Sequence, residues 1–172
     1  MELDDWPCKT RYNADLPNIP SWPRPALLKE NTAWRDNTDV IALVEAAVMA
    51  SRVDVGVSAI DRFADGLTSD DNQRDRILTT AFLSLRDEIT LYREMVVYGV
   101  MQGVAKARLA TSIAAEAKQD GAGNRQTFKE ALRIEDDAMD EARFLCRRLG
   151  ALENKYQVLA DALMQHLTES SR

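Results

Sequence analysis

Few residues in this 172-residue chain have the type and spacing to do chemistry, so the sequence is read first around them. The single histidine, His166, falls on an apolar seam near the end of a helical pattern. One imidazole without a Glu-x-x-His pair does not make the di-iron carboxylate set of ferritin-like bundles, so a core or partner contact is expected for it. The acidic run IEDDAMDE places Asp136 and Asp140 four residues apart, on one face of a helix. Arginines lie within reach, and the expectation is a solvated ion-pair face rather than a cation site. The loop DGAGN has neither the preceding strand nor the lysine that a phosphate-cradling loop needs.

The two cysteines, Cys8 and Cys146, have no metal-ligand spacing, and neither has a histidine placed to form a nucleophile pair. They suggest no disulfide framework, which fits a reducing compartment, and Cys146 in its apolar stretch reads as a small hydrophobe. No serine motif is present. Together these absences predict no catalytic residues, no bound cofactor and no metal, hence a protein that is not an enzyme.

The elements that position these residues fall into two parts. Residues 1–36 hold all five prolines (Pro7, Pro17, Pro20, Pro23, Pro25) and all three tryptophans. Proline fixes its own φ and moves the preceding residue out of the helical region, so DLPNIPSWPRP predicts an extended arm. A short helical piece is allowed from Ala26 to Trp34. The spacing of Tyr12, Leu16-Pro17, Ile19-Pro20 and Pro23 resembles the start of the RNA polymerase II-associated factor of the transcription elongation complex. The resemblance covers the arm alone and implies nothing for residues 37–172.

From Asn37 onward there is no proline, and a 3.6-residue period predicts an all-α fold: an antiparallel three-helix bundle, or long helical hairpin, with coiled-coil-like packing. Helices are expected over about 38–65, 69–119 and 124–169. Asn37 or Thr38 should cap the first, and Ser69 or Asp70 the second, with Gln73 placed for a capping box. Leu78, Phe82, Leu85, Ile89, Tyr92 and Val96 alternate at spacings of four and three, then give way to Gly99, Gly103, Ala107, Ala110 and Ala114. The third helix carries Ala138, Ala142, Leu145, Leu149, Tyr156, Leu159 and Leu163 along its seam. At 1.5 Å per residue the second and third helices would be roughly 70–75 Å long and the first only about 45 Å. The first should therefore run back to the neighbourhood of residues 95–98 and stop, while residue 99 lies near residue 144.

That level of the hairpin coincides with EMVVYGVMQGVA, Glu94–Ala105, which is apolar on nearly every side. Leaving Val97, Tyr98, Met101 and Val104 wet would forfeit roughly 1.5–3 kcal/mol per large side chain, so a cover is expected. The arm residues Leu27, Leu28, Trp22 and Trp34 could fold back over the patch, or another polypeptide could. Proline-stiffened segments with aromatic anchors lose little entropy on docking, which points to Trp6, Tyr12, Leu16, Ile19, Trp22 and Trp34 as partner-binding residues beside the patch.

The function expected is a helical structural or adaptor subunit of a larger assembly, homo- or hetero-oligomeric. The net charge of -6, with no strongly basic segment, argues against direct nucleic-acid binding. A membrane-surface protein similar to the crescent-shaped BAR dimers, which also use three long helices, would need a basic stripe that is missing. A small-molecule pocket near Gly99 and Gly103 is the remaining alternative. The acidic amino terminus lacks an apolar signal core, and no apolar run approaches the roughly 20 residues of a membrane span, so a soluble intracellular protein is expected.

Overall fold

A computed structural model describes residues 7–8, 22–30, 37–68, 70–119 and 124–167. They form five helices: α1 (Pro25–Glu30), α2 (Thr38–Met49), α3 (Val53–Asp65), α4 (Asp71–Gln119) and α5 (Arg125–Gln165). The fold is all-α, as expected, with no strand among the described residues. The chain divides into two compact units, one of Met1–Ala14 with Arg93–Ala151, the other of Asp15–Tyr92 with Leu152–Arg172. Helices α4 and α5 each contribute to both.

In the second unit, α1, α2 and α3 pack with the beginning of α4 and the end of α5. Helix α2 starts where the Asn37 side chain accepts a hydrogen bond from the Val40 amide at 3.1 Å. Asp70 does the same for the Gln73 amide ahead of α4, at 2.9 Å. Each cap satisfies an amide that the first helical turn leaves without a partner. The core brings Val40, Leu43 and Ala47 of α2 and Ile60 and Ala64 of α3 against Leu78, Phe82, Leu85 and Ile89 of α4. Tyr156, Leu159 and Leu163 of α5 complete it.

One expectation fails here. The pattern over residues 38–65 predicts a single helix, but the chain breaks at Ala50–Arg52 and α3 doubles back on α2. Two features of the sequence permit the turn. Gly56 lies so close to α2 that a Cβ there would stand 2.9 Å from the Ala47 carbonyl oxygen and 2.9 Å from Leu159 Cδ2. Lys155 Nζ donates to the Val48 and Ala50 carbonyls, at 2.6 and 2.7 Å, where α2 ends. Folding back lets both short helices bury their apolar stripes in one core, which a straight rod of the same length would not do. Met49, at the end of α2, meets Tyr92, whose hydroxyl donates to the methionine sulfur at 3.3 Å.

The first unit contains two antiparallel helical segments, Arg93–Gln119 of α4 and Arg125–Ala151 of α5, together with Cys8. Small residues line their seam: Ala107, Ala110, Ala114, Ala131, Ala138 and Ala142 are buried. A Cβ on Gly103 would come within 3.1 Å of the Ala138 carbonyl oxygen, and one on Gly99 within 2.9 Å of Leu145 Cδ1. The expected level of residue 99 with residues 144–146 is thus observed. The reading of the cysteines is corrected: Cys8 and Cys146 form a disulfide, with Cα atoms 5.3 Å apart. Their separation of 138 residues gives no spacing signal, because only the fold brings them together.

Candidate interaction surface

Helix α4 presents two apolar faces within the first unit, and this accounts for EMVVYGVMQGVA. Val96, Val97, Val100 and Gly103 turn inward and are buried. Met95, Tyr98 and Leu109 turn outward and keep 61, 64 and 63% of their surface accessible. Met101 and Ile113 are also exposed. A helix with 3.6 residues per turn carries both sets because Met95, Tyr98, Gln102, Ala105 and Leu109 recur at alternating steps of three and four, as the inner seam does.

The expected partner-binding residues divide accordingly. Tyr98 and Met101 stand on the exposed face, Val104 is half-buried, and Val97 is buried in the fold. Trp6, Tyr12, Leu16, Ile19 and Trp34 lie outside the described residues. Trp22 is used by its own chain: its indole stacks on Phe82 with ring centroids 4.4 Å apart. Its Nε1 donates to Thr79 Oγ1 at 3.0 Å. Two residues on, Arg24 pairs with the buried carboxylate of Asp75 at 2.9 Å. Residues 22–24 are therefore anchored on the start of α4.

Leu109 and Ile113 are not among the expected residues, because charged neighbours interrupt the apolar run beyond Ala105. The signal that finds them is the three-four step counted from Met95.

The residues considered for chemistry have structural partners. His166 Nε2 lies 2.8 Å from Asp61 Oδ1. Asp140 accepts from Arg143 at 2.8 Å, and Asp137 faces Arg133. Among the described residues no group of histidine, cysteine and carboxylate side chains could hold a metal ion. Gly99 and Gly103 are packed against α5. In the second unit a groove of about 240 Å³ between α2 and α4 has Ile41, Val48 and Met49 on its walls, with Glu45 and Glu88 beside them. Val44, Ser84 and Tyr92 complete its lining. Among the described residues no helix is long and apolar enough to cross a membrane.

Comparison with protein-family models, with curated proteins and with solved structures finds no match to this chain.

Proposed function

We propose that this chain is a non-enzymatic helical subunit of a larger protein assembly, docking a protein neighbour along the outer face of α4. The supporting observation is the exposed stripe of Met95, Tyr98 and Leu109 on a helix whose opposite face is already packed. Apolar side chains aligned along one helix face mark a contact surface, whereas the same number scattered singly would not. The burial of Trp22 and the pairing of Arg24 with Asp75 assign the end of the arm to its own fold. Among the described residues, the proposed docking face is therefore that of α4. A disulfide between Cys8 and Cys146 favours an oxidising compartment over the reducing interior first expected, since such bonds persist where glutathione does not reduce them.

Affinity capture with the intact chain and with the Tyr98→Glu, Leu109→Glu double variant tests this reading. Both positions are exposed, so helical content by circular dichroism should be unchanged. Protein neighbours held by the intact chain and lost from the variant support the role. Identical neighbours from both would remove α4 from consideration.

A further inference from the structure

The groove between α2 and α4 grades from apolar to acidic along its length, and we infer that it binds a small organic ammonium ion carried on an apolar body, such as an arylalkylamine. The inference concerns other residues than the docking role proposed above and does not depend on it. Ile41, Glu45 and Met49 line the groove from α2 at steps of four, and Ser84, Glu88 and Tyr92 line it from α4 at the same step. The Tyr92 hydroxyl bonds the Met49 sulfur, which sets these two residues level. One turn back on each helix, Glu45 is then level with Glu88, and two turns back Ile41 is level with Ser84. Antiparallel helices would instead bring Glu45 to the level of residue 96, which is not part of the lining.

Charge and hydrogen bonding select the ligand class. Glu45 and Glu88 line opposite walls, and neither carboxylate has an ion-pair partner among the described residues. Two carboxylates at one level repel each other; a cation between them relieves this and an anion adds to it. Ser84 is an independent sign of a ligand. It is only 3% exposed, yet its hydroxyl has no hydrogen-bond partner among the described residues. On the same helix Thr79, Thr80 and Thr90 each donate to the carbonyl four residues back. Helix side chains lean toward the amino terminus, which carries the two carboxylates toward the level of Ser84. An ammonium has three N–H donors, and the carboxylates with the Ser84 oxygen supply three acceptors. The apolar body then lies along Val48, Met49 and Tyr92, a wall that offers a hydrated metal ion nothing. At about 240 Å³ the groove is smaller than a drug-sized site and suits a single ring or short chain.

Phenethylamine titrated at neutral pH into the full chain, with its methionine methyl groups labelled for NMR, tests this. The Met49 methyl signal should shift and saturate, while those of Met95 and Met101, which do not line the groove, should stay in place. The dissociation constant should fall between about 10 µM and 1 mM, the range that a ligand of about nine non-hydrogen atoms reaches. 2-Phenylethanol, the neutral analogue, should bind about tenfold more weakly. Glu88→Gln should weaken phenethylamine about tenfold, because a charged acceptor becomes a neutral one. Ser84→Ala should weaken it about threefold or more. Glu94→Gln, an exposed carboxylate outside the groove, should leave binding unchanged.

Absence of a saturable Met49 shift would overturn the inference. So would equal affinity for the amine and the alcohol, which would show an apolar groove without charge selection, or binding indifferent to both Glu88→Gln and Ser84→Ala. The methylamide of Nα-acetyl-lysine presents the same ammonium on a peptide. If it binds as tightly as phenethylamine, the groove takes a lysine side chain of another polypeptide and the free amine is ruled out as its proper ligand.

Discussion

Lys155 Nζ donates to the Ala50 carbonyl at 2.7 Å, across 105 residues of sequence, and so closes the end of a helix to which it does not belong. The same ammonium reaches the Val48 carbonyl at 2.6 Å. Helix α2 leaves its last carbonyls without intrahelical partners, and a cation there also suits the negative end of the helix dipole. Burial lowers the lysine pKa from its ordinary value, an opposing cost that the two carbonyl acceptors offset. Lys155→Met keeps the apolar stem and removes the donors. It should lower unfolding stability by about 1–3 kcal/mol, measured by urea denaturation, because two carbonyls lose their partner.

The turn that Lys155 closes also depends on Gly56. A methyl group there meets the Ala47 carbonyl, a backbone atom that cannot swing aside. Gly56→Ala should therefore destabilise by about 1–3 kcal/mol, despite the better helix propensity of alanine. Gly150 is the contrasting case, since a Cβ there finds nothing within 4 Å. Gly150→Ala should stabilise by about 0.5–1 kcal/mol. Paired thermal melts of the two variants check both signs, and two shifts in the same direction would refute the close crossing of α2 and α3.

These positions mark where the sequence was legible. Capping at Asn37 and Asp70 could be read locally, because a cap is set by a side chain and an amide three residues away. The α4–α5 seam could be read because its period persists over many turns, and the level of Gly99 with Leu145 followed from counting across DGAGN. The break at Ala50–Arg52 could not, since no proline or glycine interrupts the apolar spacing there. Its causes, the Lys155 donors and the Ala47–Gly56 contact, lie far off in sequence or on a neighbouring helix. Gly56, an unexplained glycine within a helical pattern, was the local clue. On the candidate surface, Tyr98 and Met101 stood out by density of apolar residues, while Leu109 needed the period of a second face.

Tyr156 supplies a test by pH. Its ring is buried in the second unit's core, and its hydroxyl has no hydrogen-bond partner among the described residues. Burial raises its pKa from 10.0 to about 12, with smaller opposing influences from Arg86 and Asp87. The unfolded chain releases this proton near 10.0 and the native chain holds it to about 12, so stability falls as pH rises through that window. Tyr156→Phe should remove a loss on the order of 2 kcal/mol at the alkaline end. At neutral pH it should be neutral or slightly stabilising, because a buried hydroxyl without a partner is lost. Urea denaturation of both chains between pH 8 and about 12 gives the difference; parallel curves would show that Tyr156 does not titrate from a buried site.

The Cys8–Cys146 bond joins positions 138 residues apart and restricts the unfolded chain accordingly. Closing a loop of this length is worth about 2–5 kcal/mol when the native geometry accepts the bond. Both sulfurs are accounted for by one bridge, so the denatured, unreduced chain should show no free thiol and the reduced chain two. Serine at both positions should lower the stability of the chain by that amount, and reductant should then have no further effect on the variant. Reductant acting on the native chain should reproduce the variant's melting temperature. If the native chain melts alike with and without reductant while thiol titration confirms that the bond has opened, the bridge joins two segments already held together by other contacts. The entropic account of its stabilisation then fails.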